Sequence, residues 1–253
     1  MPDRPQTNLQ LWNELRASGY SDADVARIKA AHDFAAPLYA GWFRASGKPF
    51  IAHLIGTAGV LAAVRARTPV VVAGLCHAIY AQGELPAATA RSVRQMRAAA
   101  RRSLGDEAEE LIVRYDALEW AAHTLPALRD RLGGLSAVDR DVVLVRLANE
   151  LDDHLDLAAL YCKNADARRR QIGAGLGLAV EIARDLGHSD LADRLEQAFS
   201  ATLGADVPAS LRTTRAASFR VTPTPWWRRR AAWVRRMVGG AARRGAALMA
   251  GRR

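Results

Sequence analysis

Helix punctuation constrains this chain more than any other feature of its sequence. Time after time a capping residue opens an apolar-periodic run, and glycine closes it. Gly19 ends a first run over 9–17, and Ser21, with Asp24 at its third position, opens a second that reaches to about 43. After the Ser46-Gly47-Lys48-Pro49 turn, Phe50 starts a third, with Phe50, Leu54, Thr57, Ala58 and Leu61 on one stripe. Thr68-Pro69 then pairs a cap with proline at the first helical position, and 70–80 is apolar nearly all round, which predicts a buried helix. Further helices are predicted at about 87–103, 106–124, 138–160, 165–186 and 189–202, with Gly105-Asp106, Gly133-Gly134 and Gly187-His188 between them. Aromatics are only 6% of the chain, and alanine, leucine and arginine dominate, which favours helix over sheet. The predicted class is all-α: one helical domain over 1–203, a linker over 204–225 and a basic tail over 226–253.

The formal charge of +10 resides in the tail. Residues 204–253 hold 12 arginines and one acid, Asp206, leaving 24 basic and 25 acidic groups in the rest. The body is therefore near neutral, and the overall charge says nothing about its ligand. Two cysteines, Cys76 and Cys162, exclude a disulfide scaffold and a four-cysteine zinc site. Cys76 lies in an apolar run and reads as a buried free thiol in a reducing compartment. There is no basic-then-apolar leader at the start and no run of about 18 apolar residues, so the expectation is a cytoplasmic protein.

Chemistry-bearing residues gather in three segments. They are Gly47-Lys48-Pro49-Phe50-Ile51-Ala52-His53-Leu54, Ala73-Gly74-Leu75-Cys76-His77-Ala78-Ile79-Tyr80, and Leu147-Ala148-Asn149-Glu150. His53 and His77 fall on consecutive helices, and antiparallel packing would bring both imidazoles to one pocket. These segments resemble the HD superfamily of metal-dependent phosphohydrolases, and among its enzymes the RelA/SpoT-type guanosine tetraphosphate hydrolase domains. The likeness covers roughly residues 30–160. The pattern is still more similar to an uncharacterised bacterial family, a domain of unknown function, marked by His-Leu-x-Gly-Thr (53–57 here), Ala-Gly-Leu-x-His-small-x-Tyr (73–80) and Leu-Ala-Asn-Glu (147–150).

The resemblance implies an HD-like multi-helix fold, a divalent metal (Mn, Zn or Fe) and a phosphorylated small molecule as substrate. It makes His53 and His77 the metal ligands, and His53, His77, Asn149 and Glu150 the catalytic candidates. Arg44, Lys48 and Tyr80 become the substrate-binding candidates. The family's site is two His and two Asp, yet Ala78 and Asn149 stand at the two aspartate positions. Hard divalent cations favour anionic oxygen. The ordinary metal site is therefore expected to be degenerate and standard hydrolase activity absent. Glu84, Glu150 or the Glu119–His123 pair are the groups that would partly restore it. The alternative is a non-catalytic binding or regulatory module. A third reading, an iron-dependent oxygenase, needs two His and one carboxylate.

Plainer readings stand beside these. His77 suits a core histidine bonded to a neighbour. Leu144, Leu147, Ala148, Leu151, Leu155 and Ala158 form one stripe of the 138–160 helix, and Asn149, Asp152, Asp153 and Asp156 then read as its solvated face, although Asp152, Asp153, His154 and Asp156 are also able to bind a cation. In the tail, Trp226 and Trp227 precede arginines at 228–230, and an apolar series runs from Trp227 to Leu248. That pattern suits an anionic membrane surface through 226–250, on the inner face of the membrane, with nucleic acid the lesser alternative.

Overall fold

The computed structural model describes residues 4–81 and 93–222. Eleven α-helices occur among them: α1 (Asn8–Ala17), α2 (Asp22–Leu38), α3 (Phe50–Ala63), α4 (Thr68–Cys76), α5 (Val93–Leu104), α6 (Asp106–Ala117), α7 (Leu125–Asp130), α8 (Ala137–Leu155), α9 (Ala165–Gln171), α10 (Gly177–Asp185) and α11 (Ser189–Gly204). The strands among the described residues are two-residue pieces, β1 (Trp42–Phe43) and β2 (Phe219–Arg220). The all-α expectation holds. The chain divides into two units after Phe219, and all eleven helices lie in the first. Of the second, residues 220–222 are described, so the tail at 226–253 lies outside the described residues.

The capping signals act as read. Thr7 and Ser21 form reciprocal capping boxes with Gln10 and Asp24, and the Ser136 hydroxyl accepts the Asp139 amide. The helices then pack around α3 and α8. Helix α3 contacts α1, α4 and α8, while α8 contacts α3, α4, α6 and α11. Every residue of α3 from His53 to Ala62 is buried. A helix enclosed on all sides needs close neighbours, and its glycines supply them. A Cβ on Gly56 would stand 2.8 Å from Asp152 Cγ and nearer still to Oδ1, and one on Gly59 would overlap the Pro5 ring. Glycine at 56 thus lets α8 carry an aspartate against the backbone of α3.

Several boundaries differ from expectation, each for a local reason. Helix α2 stops at Leu38, one residue past Pro37, and Gly41 turns the chain at φ 79°. The run over 106–124 breaks at Leu118, which is extended, and resumes as α7 with proline in its first turn. The 138–160 helix ends at Leu155. Leu157 is left-handed at φ 57°, and a 3₁₀ turn follows over Ala158–Tyr161. Glycines 173, 175 and 177 divide 165–186 into α9, a π turn and α10. The expected linker packs in part. Val207 is buried with Leu160 and Ala165, Thr213 Oγ1 donates to the Ala45 carbonyl at 2.7 Å, and Phe219 stacks on Phe43. No helix among the described residues is long and apolar enough to cross a membrane.

Candidate functional site

Helices α3, α4 and α8 meet where the two histidines sit. The His53 and His77 rings lie edge to face, 5.4 Å between centroids, and both residues are buried. The two rings converge as expected, but α4 ends at Cys76 rather than running to 80, and His77 stands just past it as its C-cap. His77 Nδ1 donates to the Gly74 carbonyl at 2.8 Å, since a carbonyl can only accept. Burial, then the neighbouring His53, hold its pKa down at about 3. His77 is thus neutral near pH 7, with its proton on Nδ1 and a bare lone pair on Nε2.

His53 Nδ1 faces an acid. It lies 2.7 Å from Asp152 Oδ2 and 3.6 Å from Asp153 Oδ1. Burial pushes the Asp152 carboxyl up, but the His53 hydrogen bond and the charges of His53, Lys48 and Arg4 outweigh it, and its pKa falls below the usual range. Asp152 is therefore ionised, so His53 Nδ1 is the donor. Asp153 follows the same logic: burial opposes its charge, while Arg44, His53 and Arg168 hold its pKa well down. His53, Asp152 and Asp153 bring three possible ligand atoms within 4.8 Å of one another. Among the described residues, His53 Nε2 has no hydrogen-bond partner.

The face of α8 read as solvated acid is buried at Asn149 and Asp152, half-buried at Asp153 and exposed at Asp156. Asp152 is 0% exposed and Asn149 4%. Three cations reach it from elsewhere in the chain. Arg4 Nη1 lies 3.0 Å from Asp152 Oδ1, and Arg4 Nη2 lies 2.8 Å from Asp156. Lys48 Nζ lies 2.8 Å from Asp152 Oδ2 and 3.4 Å from Asp156. Arg44 Nη2 reaches both oxygens of Asp153, at 2.6 and 2.7 Å. Each carboxylate is thus answered by a protein cation.

These groups do not suit a divalent metal as they stand. Asp152 Oδ2 and both oxygens of Asp153 accept ammonium, guanidinium or imidazole protons, Asp152 Oδ1 lies against the Arg4 guanidinium without a hydrogen bond of its own, and the nearest ring nitrogen carries a proton. On the other side, His53 and His77 stand without the aspartates of the resembled pattern, because position 78 is Ala and 149 is Asn. Two histidine nitrogens alone are a poor set for a hard cation.

Beside the acids opens a cavity of about 230 Å³, whose wall includes Arg44, Lys48, Glu150, Asp153, His154 and Arg168. Arg44 and Lys48, expected to meet substrate, both face it. The Arg168 guanidinium has no hydrogen bond or ion pair among the described residues. His154 Nδ1 lies 3.0 Å from Thr202 Oγ1, whose own proton goes to the Ala198 carbonyl, so His154 donates. Burial lowers the His154 pKa, which leaves its Nε2 lone pair towards Glu150 at 4.0 Å. Glu150 itself is held by Arg146, which also donates to the Tyr115 hydroxyl at 3.0 Å.

The remaining candidates are placed as follows. Asn149 sits on α8 one turn before Asp152 and Asp153, and its side chain makes no hydrogen bond among the described residues. The Tyr80 hydroxyl donates to Glu109 at 3.1 Å, in a separate cluster with Arg97 and Arg101, and Tyr80 is not among the residues lining the cavity. Glu119 and His123 pair with each other in solvent, and Glu84 lies outside the described residues. Sequence reasoning passed over Asp152 and Asp153 as ligands of the histidine. The signal was present: they stand three and four places after Asn149, on the same helix face. Nothing in the sequence marked Arg4.

Comparison with known proteins agrees with the uncharacterised character of these motifs. Residues 37–119 match a family described as a domain of unknown function, DUF6817. The matched stretch holds Arg44, Lys48, His53 and His77 and ends before α8, so the acids lie beyond it. No curated protein matches the chain.

Proposed function

We propose that the helical unit is a non-hydrolytic binding module, built on an HD-like scaffold, that takes a small phosphorylated ligand in the cavity beside the His53–Asp152 pair. One observation carries this reading: a cavity walled by Arg44, Lys48 and Arg168, in which the Arg168 guanidinium makes no hydrogen bond or ion pair among the described residues. Guanidinium and ammonium groups at one wall suit phosphate oxygens. The volume, about 230 Å³, is below the ~300–1,000 Å³ of drug-sized ligand sites, so the occupant is small. Hydrolysis is set aside because Ala78 and Asn149 occupy the resembled pattern's aspartate positions and because Asp152 and Asp153 are committed to protein cations. The rival reading, a divergent metal-dependent phosphohydrolase, draws on the buried, unpartnered Nε2 of His53.

Titration calorimetry of the full chain against inorganic phosphate and a panel of nucleoside and sugar phosphates tests the proposal. The expected result is saturable binding to at least one of them, weakened tenfold or more by Arg168→Gln, with no phosphate released. Binding unchanged in Arg168→Gln refutes the site. Phosphate release that vanishes in His53→Ala and His77→Ala establishes the hydrolase instead.

A further inference from the structure

Three facts about the acid centre converge. First, Asp152, Asp153 and Asp156 are matched one for one by Arg4, Lys48 and Arg44, so the cluster is neutral without any ion. Second, the ammonium of Lys48 is buried with a side chain 10% exposed, and it touches the same Asp152 oxygen that His53 touches. Third, this nitrogen stands where two carboxylates of α8 converge, 2.8 Å from one and 3.4 Å from the other. A compact point charge between the buried carboxylate of Asp152 and the exposed one of Asp156, and beside an imidazole, holds the place that a metal ion holds in an acid–histidine site.

We infer that Lys48 is a built-in replacement for a divalent cation: His53, Asp152 and Asp153 form a latent metal site held shut by the lysine ammonium. Lys48 and Asp153 also line the cavity, but the inference is read by metal binding in the absence of any phosphate, so its failure and that of the proposed ligand are distinguishable. Its chemistry is simple competition. The ammonium and a divalent ion compete for Asp152 Oδ2, and removing the lysine leaves Asp152 and Asp156 one positive charge short, with Arg4 shared between them, so the site favours recruiting another cation. Oxygen donors with one nitrogen suit Mn²⁺ among the divalent ions.

The test uses the full chain, purified without an affinity tag and stripped with chelator. Mn²⁺ is titrated alone and followed by the electron paramagnetic resonance of the free ion and by thermal melting. Wild-type protein is expected to hold less than a tenth of an equivalent of any divalent metal and to show no rise in Tm at millimolar Mn²⁺. Lys48→Ala is expected to bind one Mn²⁺ at least tenfold more tightly than wild type, with a Tm rise that EDTA reverses. Lys48→Arg, which restores the charge, should stay unresponsive, and Lys48→Ala with Asp152→Asn should lose the gain. A wild type that carries one equivalent of metal overturns the inference by itself. So does a folded Lys48→Ala that binds Mn²⁺ no better than wild type. Should Lys48→Ala lack the helical circular dichroism of the wild type, Lys48→Gln replaces it under the same criteria.

Discussion

Gly56→Ala offers the sharpest probe of the centre, because a single methyl group meets a single carboxylate. The added Cβ would stand 2.8 Å from Asp152 Cγ and closer to Oδ1, far inside the ~3.5–4.0 Å at which carbon atoms rest. Overpacking a buried helix contact costs about 1–3 kcal/mol. Pushing Asp152 off Lys48 and His53 weakens hydrogen bonds to charged groups that contribute about 1.5–3 kcal/mol each. Alanine regains about 1 kcal/mol over glycine inside a helix. The net expectation is a loss of about 3 kcal/mol, or roughly 6–12 °C in Tm for a chain of this size. Asp152→Ala removes the obstacle, so in that background Gly56→Ala should be neutral or stabilising by about 1 kcal/mol. The double-mutant cycle, measured by urea denaturation at 222 nm, should therefore give a coupling of about 4 kcal/mol. Additive losses, with coupling under about 0.5 kcal/mol, would refute the close approach of α8 to α3 on which the whole centre depends.

Three further outcomes follow from other groups. His77 has its folded pKa lowered to about 3, so the unfolded chain binds the extra proton between that value and about 6.5. Its contribution is full above pH 6.5 and is lost as pH falls; His77→Leu should flatten the stability profile by roughly 3 kcal/mol between pH 6.5 and 4, and an unchanged slope in urea melts would rule this out. Glu109 is fully buried and holds Arg97 at 2.6 Å, Arg101 at 2.9 Å and Tyr80. Glu109→Ala should cost about 2–3 kcal/mol and speed amide exchange in α5 selectively, whereas uniform exchange across all helices would contradict a local anchor. In the tail, replacing Trp226 and Trp227 by alanine in the full chain should reduce sedimentation with anionic vesicles and leave neutral vesicles unaffected; equal sedimentation of both chains would remove the membrane reading.

How much of this was legible in the sequence differs by residue. Caps at Ser21 and Ser136 and the turn at Gly105 fixed helix starts, because capping chemistry is local and glycine there takes φ 92°. The pairing of His53 with His77 was legible from spacing on consecutive helices. The burial of Asp152 was not. A run of acids on one helix face reads as solvent-facing unless the partner cations are known, and these come from positions 4, 44 and 48. Gly56 was equally silent: glycine in a helix advertises cost, and its reason appears only when Asp152 arrives from nearly a hundred positions away. The packed segment at 205–219 was hidden because its composition is that of a linker, and its order rests on single bonds such as Thr213 to Ala45.

The position of the acids says more about this centre than their number. Asn149 occupies the turn of α8 nearest the resembled aspartate, and the carboxylates stand one turn further along, at 152 and 153. A shift of three or four residues keeps a side chain on the same helix face but moves it about one pitch, ~5.4 Å, down the axis. At that depth the acids meet His53 on Nδ1 and leave Nε2 without a partner among the described residues. The same depth is where Lys48, set just ahead of Pro49 at the start of α3, can place its ammonium. Without Lys48 and Arg44, Asp153 would lose its ion pair and Asp152 would keep Arg4 alone, and a buried charge short of its counterion costs several kcal/mol. The acids and their cations are therefore interdependent: Asp152 needs Gly56 to approach α3 and Lys48 beside it, and Asp153 needs Arg44.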